Sequence, residues 1–187
     1  VKVLRSLRRF ARVDAQQNSI RGQYTQGVVG GKEALAYEAE RGQASGTETF
    51  VALRADIDNW RWAGVPFFLR TGTRLPERRT QIAIQFKPVP HSIFDGPARD
   101  DLGANRLVID LQPDEDIELL LMNKAPGITA GGMRLQSLPL SLSLMKTYEG
   151  PGARRRIAYE RLLLDVITGN STLFVRRDEV EAAWRWV

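Results

Sequence analysis

The sequence contains no cysteine and only one histidine, His91, among its 187 residues. Disulfide bonds and thiolate metal sites are therefore excluded, and one histidine without a cysteine cannot anchor a typical zinc site. His91 is a lone histidine beside two prolines, a setting that favours a loop residue over a general base. The lack of cysteine is typical of a reducing compartment, so we expect a cytoplasmic protein without a metal ion.

Long apolar runs and glycine-rich phosphate loops are also missing. No apolar run approaches the roughly 20 residues that span a bilayer, and the charged start VKVLRSLRRFARV lacks the apolar region of a signal peptide. Neither G-x-G-x-x-G nor G-x-x-x-x-G-K-[ST] occurs, and the nearest stretch, VVGGKEAL, has the wrong spacing. We therefore expect no membrane partner and no nucleotide-binding unit in this chain.

The net charge of +5 does not by itself indicate a nucleic-acid partner. The arginines fall mainly at residues 5–12, 70–79, 154–156 and 176–177, and none of these groups is interleaved with aromatic side chains. A platform for single-stranded nucleic acid requires such aromatic side chains. We expect no nucleic-acid partner; the basic segment at residues 5–12 is the distant alternative, which a salt titration would separate from a small-ligand site.

The first quarter of the chain predicts a helix, a strand and a loop. Apolar residues at helical spacing predict a helix over residues 1–13, which begins without a capping residue, as though the chain had been cut from a longer structure. A short strand is predicted at residues 20–24. The polar, glycine-spaced stretch that follows indicates a long surface loop, with a short helix over residues 33–40 as the alternative.

The middle of the chain alternates apolar and polar side chains with a period of two, which predicts β-strands. The stretches concerned are TETFVALRADID, PFFLRTG, TQIAIQFKPV, NRLVIDLQP, EDIELLLMNKA and MRLQSLPLSLSLMKTY. Because short turns and no helices separate them, we expect a large, mainly antiparallel sheet with one apolar face.

Two amphipathic helices are predicted near the end of the sequence. AYERLLLDVITGN predicts a helix that Gly169 and Asn170 end, and RRDEVEAAWRWV predicts a second helix with Asp178 as its N-cap. These helices are the expected cover for the apolar face of the sheet. The fold class is therefore α+β, and a chain of 187 residues suits a single domain, residues 1–187.

Four arginines surround one polar connection in FFLRTGTRLPERRTQIAIQF, namely Arg70, Arg74, Arg78 and Arg79. A guanidinium group presents donors in a fork that matches phosphate oxygens, and two or three on one turn can enclose a dianion. Gly72 would allow the tight turn of a hairpin here. This chemistry suits a phosphate or sugar-phosphate site, while plain solvated charge remains the alternative.

Three stretches resemble the C-terminal domain of bacterial-type glucose-6-phosphate dehydrogenases: GVPFFLRTGTRLPERRTQIAIQFKPVPHSIF, NRLVIDLQPDE and above all AYERLLLDVITGNSTLFVRRDEVEAAW. The similarity covers essentially the whole chain in the same order. It implies an α+β domain whose sheet forms the dimer interface and closes the substrate pocket. The parent enzyme would oxidise glucose 6-phosphate to 6-phosphogluconolactone with reduction of NADP, at the start of the pentose phosphate pathway.

The resemblance also implies what this chain does not contain. In the family, the NADP site and the catalytic histidine belong to an N-terminal domain, and the segment Asp-His-Tyr-Leu-Gly-Lys is absent here. We therefore expect no catalytic residue in this chain and no activity from the chain alone. A stand-alone, non-catalytic sugar-phosphate-binding or dimerisation module is the alternative function.

Residue by residue, the resemblance implies substrate-binding positions at Thr73, Arg78 and Gln112. Thr73 stands where the family usually has a lysine, so one cation is lost, whereas Arg78 keeps the charge. We add the hypothesis that Arg74 reaches in to replace the missing lysine. The expected partners are glucose 6-phosphate and further copies of the chain, in a homodimer or tetramer formed through the sheet.

Animal members of the family hold a second, structural NADP in this domain with basic and aromatic side chains. Arg70 and Arg79 match two of those positions, but Asp110 lies on the strand that should supply an arginine. A carboxylate beside a phosphate is repulsive. We therefore expect no structural NADP here.

Overall fold

The computed structural model describes residues 1–88, 103–125, 135–143 and 158–186. His91 and the arginines at 154–156 lie outside these ranges. The chain forms two compact units, the first made of Val1–Pro76 with Arg156–Val187 and the second of Glu77–Arg155. Each unit contains its own antiparallel sheet.

The described part of the chain contains five helices and nine strands. The helices are α1 (Lys2–Arg5), α2 (Arg12–Asn18), α3 (Tyr37–Arg41), α4 (Ala158–Ile167) and α5 (Arg177–Trp184). The strands are β1 (Ser19–Gly22), β2 (Gly27–Val29), β3 (Lys32–Ala34), β4 (Phe50–Asp56), β5 (Pro66–Gly72), β6 (Thr80–Gln85), β7 (Arg106–Gln112), β8 (Asp116–Lys124) and β9 (Leu135–Ser143). None of these helices is long and apolar enough to cross a membrane.

The α+β class and the antiparallel pairing are confirmed, but the strands divide differently from the prediction. Among the described residues they form three separate sheets, in the orders β1–β4–β5, β2–β3 and β6–β7–β8–β9. β5 pairs with β4 along its whole length, and β6 pairs with β7. The polar connection at residues 73–79 therefore joins two sheets and is not the turn of a hairpin.

The core of the first unit lies at the end of β4. Ala55 is 1% exposed, and Ile57 just beyond the strand is 8% exposed. Ile57 pairs with Leu7 in an isolated antiparallel bridge. The indole Nε1 of Trp186, after α5, donates to the carbonyl oxygen of Arg8 at 2.9 Å and so ties the two ends of the unit together.

The predicted helix over residues 1–13 is interrupted, because its middle pairs with the end of β4. The backbone N–H of Arg8 donates to the carbonyl oxygen of Asp56 at 2.9 Å, and that of Asp58 donates to Ser6 at 2.7 Å. Backbone groups that pair with a strand cannot also continue a helix. Two short helices, α1 and α2, therefore replace the single predicted one.

The predicted loop after β1 is wrong, because it contains a hairpin and a helix. Gly30 and Gly31 form the two-residue link between β2 and β3 with φ of 58° and 78°. Two positive φ values are what a type I′ hairpin turn requires, and glycine adopts them without strain. The alternative prediction of a helix over residues 33–40 is correct only in its last part, since α3 begins at Tyr37 and is followed by Gly42 at φ 67°.

Both helices near the end of the sequence are confirmed, although Asp178 is not the cap of the second. Gly169, with φ 70°, follows the end of α4 as predicted. The N-cap of α5 is Arg176, whose backbone N–H donates to the side chain of Glu179 at 3.1 Å. Asp178 lies within the first turn and accepts from the guanidinium of Arg176 at 2.8 Å. A glutamate one turn inside the helix thus satisfies the N-cap N–H.

One face of the four-stranded sheet of the second unit is largely aliphatic. Two rows of cross-strand neighbours run across it: Ile82–Ile109–Ile117–Leu142 and Ile84–Leu107–Leu119–Leu140. The aliphatic side chains of this face on β6 and β9 remain 40–52% exposed. We refer to this surface as the aliphatic face.

Gly72 at the end of β5 is required for a reason other than the predicted turn. A Cβ on Gly72 would lie 2.9 Å from Cδ2 of Phe50 and 3.2 Å from the carbonyl oxygen of Thr49. The residue with a left-handed backbone is instead Arg74, at φ 58°. Close approach of β4 therefore explains the glycine.

Gly72→Ala should lower the free energy of unfolding of the protein by roughly 1–3 kcal/mol, because the added methyl group overpacks the contact with Phe50. Denaturant unfolding monitored by circular dichroism measures this loss. Gly22→Ala is the matched control, since Gly22 pairs with the same Phe50 from the other side and a Cβ there would meet no atom within 4 Å. Equal losses in the two variants would refute the overpacking explanation.

Candidate functional site

Thr73 and Arg74 extend from β5 and belong to the first unit. The backbone N–H of Thr73 donates to the carbonyl oxygen of Thr49 at 2.9 Å, and its hydroxyl lies 3.5 Å from the same oxygen. Both side chains are exposed. The first residue of the polar connection is therefore still held to the neighbouring strand.

Arg74 is engaged by two side chains of the first unit. Its guanidinium forms an ion pair with Glu40 of α3 and lies over the ring of Tyr24, 5.9 Å from the centroid. The hydroxyl of Tyr24 donates to Oε2 of Glu40 at 2.6 Å. The hydrogen bond from Tyr24 and the charge of Arg74 hold the pKa of Glu40 below its ordinary value. Arg74 would have to leave these partners in order to replace the missing lysine.

Arg78 and Gln112, the other two predicted substrate residues, belong to the second unit and line one cavity. Its volume is about 440 Å³. The lining residues, most of them charged, are Glu77, Arg78, Arg79, Asp110, Gln112, Pro113, Asp114 and Asp116. The structure thus brings Arg78 and Gln112 together at the point where β7 ends and β6 begins.

Arg79 is neutralised within this cavity by Asp110 of β7. Its Nε and Nη2 donate to Oδ1 and Oδ2 of Asp110 at 2.8 and 2.9 Å, and Nε2 of Gln81 donates to Oδ1 at 3.1 Å. The hydrogen bonds from Arg79 lower the pKa of Asp110, whose side chain is 18% exposed. The carboxylate that is expected from the sequence to repel a phosphate is therefore the ion-pair partner of Arg79.

Arg78 is the cavity's unpaired cation among the residues that the structure describes, where it has no hydrogen bond or ion pair. Carboxylates outnumber guanidinium groups in the lining, with Glu77, Asp114 and Asp116 in addition to the paired Asp110. Oδ1 of Asp116 is buried and has no hydrogen-bond partner within the part of the chain that the structure describes. The cavity can thus offer one cation and several acceptors for hydroxyl donors.

The two residues that match positions of the structural NADP site of animal members belong to different units. Arg70 lies on β5 in the first unit, opposite Ala52, and its side chain is exposed. Arg79 lies in the second unit and is held by Asp110. Within the described ranges, no group of three or more histidine, cysteine, aspartate or glutamate side chains is arranged to hold a metal ion.

Sequence reasoning missed the partners of the arginines. Glu40 is 34 residues from Arg74, and Asp110 is 31 residues from Arg79. No spacing in the sequence signals either ion pair. From the sequence, Asp110 is notable only for its negative charge, which would repel a phosphate.

Comparison with known proteins gives one consistent result. A family model described as "Glucose-6-phosphate dehydrogenase, C-terminal domain" matches residues 1–187. The chain is 53% identical over 187 residues to glucose-6-phosphate 1-dehydrogenase of Zymomonas mobilis, with all of the chain and 38% of that protein covered. It is 52% identical over 188 residues to the protein of the same name from Rhizobium meliloti. That match covers 100% of this chain and 37% of the relative.

Solved structures show the same relationship. A glucose-6-phosphate dehydrogenase in complex with its substrate glucose 6-phosphate has a TM-score of 0.82 and 32% identity, with 99% of this chain and 35% of that chain covered. The glucose-6-phosphate 1-dehydrogenase of Mycobacterium avium has a TM-score of 0.70 and 33% identity, with 100% and 35% covered. The chain therefore spans little more than a third of the length of these relatives.

Asp110→Asn should destabilise the protein near neutral pH and much less in acid. Because Arg79 lowers the pKa of Asp110, the carboxylate stabilises the folded state above the unfolded-state pKa, and this contribution is lost as the pH falls through the lowered folded-state pKa. The difference in free energy of unfolding between wild type and variant should shrink below about pH 4. Urea unfolding at a series of pH values measures it.

Arg79→Gln provides the control for this experiment. Without the guanidinium, the pKa of Asp110 loses its main cause of depression, so Asp110→Asn in that background should show little pH dependence. If Asp110→Asn lowers the free energy of unfolding by the same amount at every pH while Arg79 is present, the ion pair is not the cause.

Proposed function

Because the chain belongs to the glucose-6-phosphate dehydrogenase family as its C-terminal domain, we propose that it is the substrate-closing and dimer-forming part of an NADP-dependent, cytoplasmic glucose-6-phosphate 1-dehydrogenase. The whole enzyme would oxidise glucose 6-phosphate to 6-phosphogluconolactone at the start of the pentose phosphate pathway. The single observation that carries the substrate role of this chain is the cavity that Arg78 and Gln112 share. One solved relative was determined with glucose 6-phosphate, which supports the choice of substrate.

In this proposal, the chain binds and orients the sugar phosphate and does not carry the reacting groups. The residues that hold NADP and the base that takes the hydroxyl proton would lie outside this chain. When bound there, NADP would supply the acceptor for the hydride from C1 of the sugar. What a protein adds to such cofactor chemistry is positioning and electrostatics. Holding the substrate in the reactive geometry lowers the entropic part of the barrier.

Arg78 would supply the charged contact, because it is the cavity's cation without a partner in the described ranges. The amide of Gln112 can donate to and accept from sugar hydroxyls. Since the lining carries more carboxylates than guanidinium groups, the hydroxyl-bearing part of the sugar fits it better than several phosphate charges would. Thr73 remains a candidate contact that lacks the charge of the family lysine.

Arg78→Ala should raise the KM for glucose 6-phosphate by roughly ten- to a hundredfold in a complete enzyme that contains this chain, as the loss of one charged hydrogen bond implies. The KM for NADP should stay unchanged. Initial rates followed by the absorbance of NADPH measure both constants. Arg78→Lys keeps the charge without the fork of donors. Its KM for glucose 6-phosphate should lie between those of the wild type and of Arg78→Ala.

Two outcomes of the same assay would contradict the proposal. If the complete wild-type enzyme does not reduce NADP with glucose 6-phosphate, the proposed reaction is wrong. If it does so and Arg78→Ala leaves the KM for the sugar phosphate unchanged, the assignment of the cavity is wrong. Binding of glucose 6-phosphate without turnover would favour the alternative of a non-catalytic binding module.

We further propose that two copies of the chain pair through the aliphatic face. A twofold interface brings the same patch of both subunits together, so any charge near its centre would meet a like charge. The two aliphatic rows contain no charged residue. Their side chains on the outer strands are accessible for burial against a second copy. Further pairing of dimers would give a tetramer.

Leu140→Asp should convert the dimer to a monomer, because it places two carboxylates in an apolar contact. Sedimentation velocity or light scattering of the complete protein measures the mass, which should fall by half. Ser141→Asp is the matched control, since Ser141 neighbours Leu140 on β9 and faces the opposite side of the sheet. A dimer that survives Leu140→Asp, or dissociates equally with Ser141→Asp, would place the interface elsewhere.

A further inference from the structure

The polar connection at residues 73–79 is held by an ion pair near each of its ends. In the first unit, Arg74 is bound by Glu40 and Tyr24. In the second unit, Arg79 is bound through two hydrogen bonds by Asp110. The residues between the two anchors include Arg78, which has no such partner among the described residues.

The first anchor fixes a backbone conformation that is unfavourable without support. Arg74 has φ 58°, in the left-handed region, which a residue with a Cβ adopts only when its surroundings determine it. The surroundings here are the ion pair with Glu40 and the ring of Tyr24. The N–H of the preceding residue is also bound, by Thr49.

Glu40 is itself held in place by contacts other than the one with Arg74. The hydroxyl of Tyr24 donates to its Oε2 at 2.6 Å, and the ring of Tyr24 packs edge-on against Tyr37 with centroids 5.6 Å apart. Tyr37 in turn accepts a hydrogen bond from Nη1 of Arg41 at 3.2 Å. The side chains that hold Arg74 therefore belong to α3 and to Tyr24, which lies shortly after β1.

We propose that Glu40 and Tyr24, acting through Arg74, and Asp110, acting through Arg79, are positioning residues for the substrate-binding segment that carries Arg78. A side chain without partners of its own is aimed by its backbone, and fixing that backbone on both sides reduces the entropy lost when the ligand binds. This inference rests on the proposed function, because Arg78 must bind the substrate for its orientation to matter. It assigns Arg74 to the support of the segment and not to the substrate.

Glu40→Gln separates this role from the hypothesis that Arg74 itself binds the sugar phosphate. If Arg74 supports the segment, Glu40→Gln and Arg74→Ala should each raise the KM for glucose 6-phosphate by roughly three- to tenfold, and the double variant should be no worse than either single one. If Arg74 contacts the substrate, releasing it from Glu40 should leave KM unchanged or lower it, whereas Arg74→Ala should still raise it. That second pattern would overturn the inference.

A cycle with Arg78 distinguishes positioning from a general loss of structure. In the Arg78→Ala background, Glu40→Gln should have no further effect on KM, because the group that it positions is gone. An effect of the same size in both backgrounds would overturn the inference, since a general loss of structure does not depend on Arg78. Asp110→Asn should behave in the same way as Glu40→Gln, with kcat little changed in both cases.

Controls keep the result interpretable for variants that fold poorly. Glu48→Gln removes an exposed ion pair of the same unit, with Arg21 at 2.6 Å, and should leave KM unchanged. Tyr24→Phe removes only the hydroxyl that holds Glu40 and should raise KM less than Glu40→Gln does. Thermal unfolding is recorded for each variant.

If Arg78→Ala raises KM while Glu40→Gln and Asp110→Asn do not, the inference fails and the proposed function stands. If Arg78→Ala has no effect, the proposed function itself fails.

Discussion

The register of β6 against β7 is the constraint on which the second unit depends. Ile82 lies opposite Ile109 and Gln81 opposite Asp110, but Thr80 lies opposite Gln112, so Leu111 has no partner, as in a β-bulge. A slip of one residue would move every side chain of β6 to the other face of the sheet. The aliphatic face would be broken and Arg79 would no longer meet Asp110. One pairing register thus determines both the proposed interface and the charge balance of the cavity.

The charges of the polar connection are divided among three different environments. Arg79 is neutralised by a half-buried carboxylate, Arg74 by a carboxylate and an aromatic ring, and Arg78 by no described group. A count of arginines would treat the three as equal. The structure instead leaves one of them available, and the other two hold the backbone on either side of it.

Two corrections share a physical cause, which is that tertiary contacts replace local ones. The predicted helix at the start of the chain is interrupted because residues near Arg8 pair with the end of β4. Gly72 is needed because Phe50 of the neighbouring strand approaches it, although the local sequence suggests a turn. The missed hairpin at Gly30 and Gly31 is different, because its Gly-Gly link is a local signal that the sequence does contain.

The sequence alone is sufficient to predict the α+β class, the strands with a period of two and the two amphipathic helices near its end. These features depend on the spacing of apolar side chains, which is readable in one dimension. It also determined the family and the candidate residues Arg78 and Gln112. The folded structure is needed to show that the strands form separate sheets, and that Glu40 and Asp110 form ion pairs with Arg74 and Arg79. Ion pairs between residues more than 30 positions apart depend on how folded segments approach each other, and no local pattern encodes that approach.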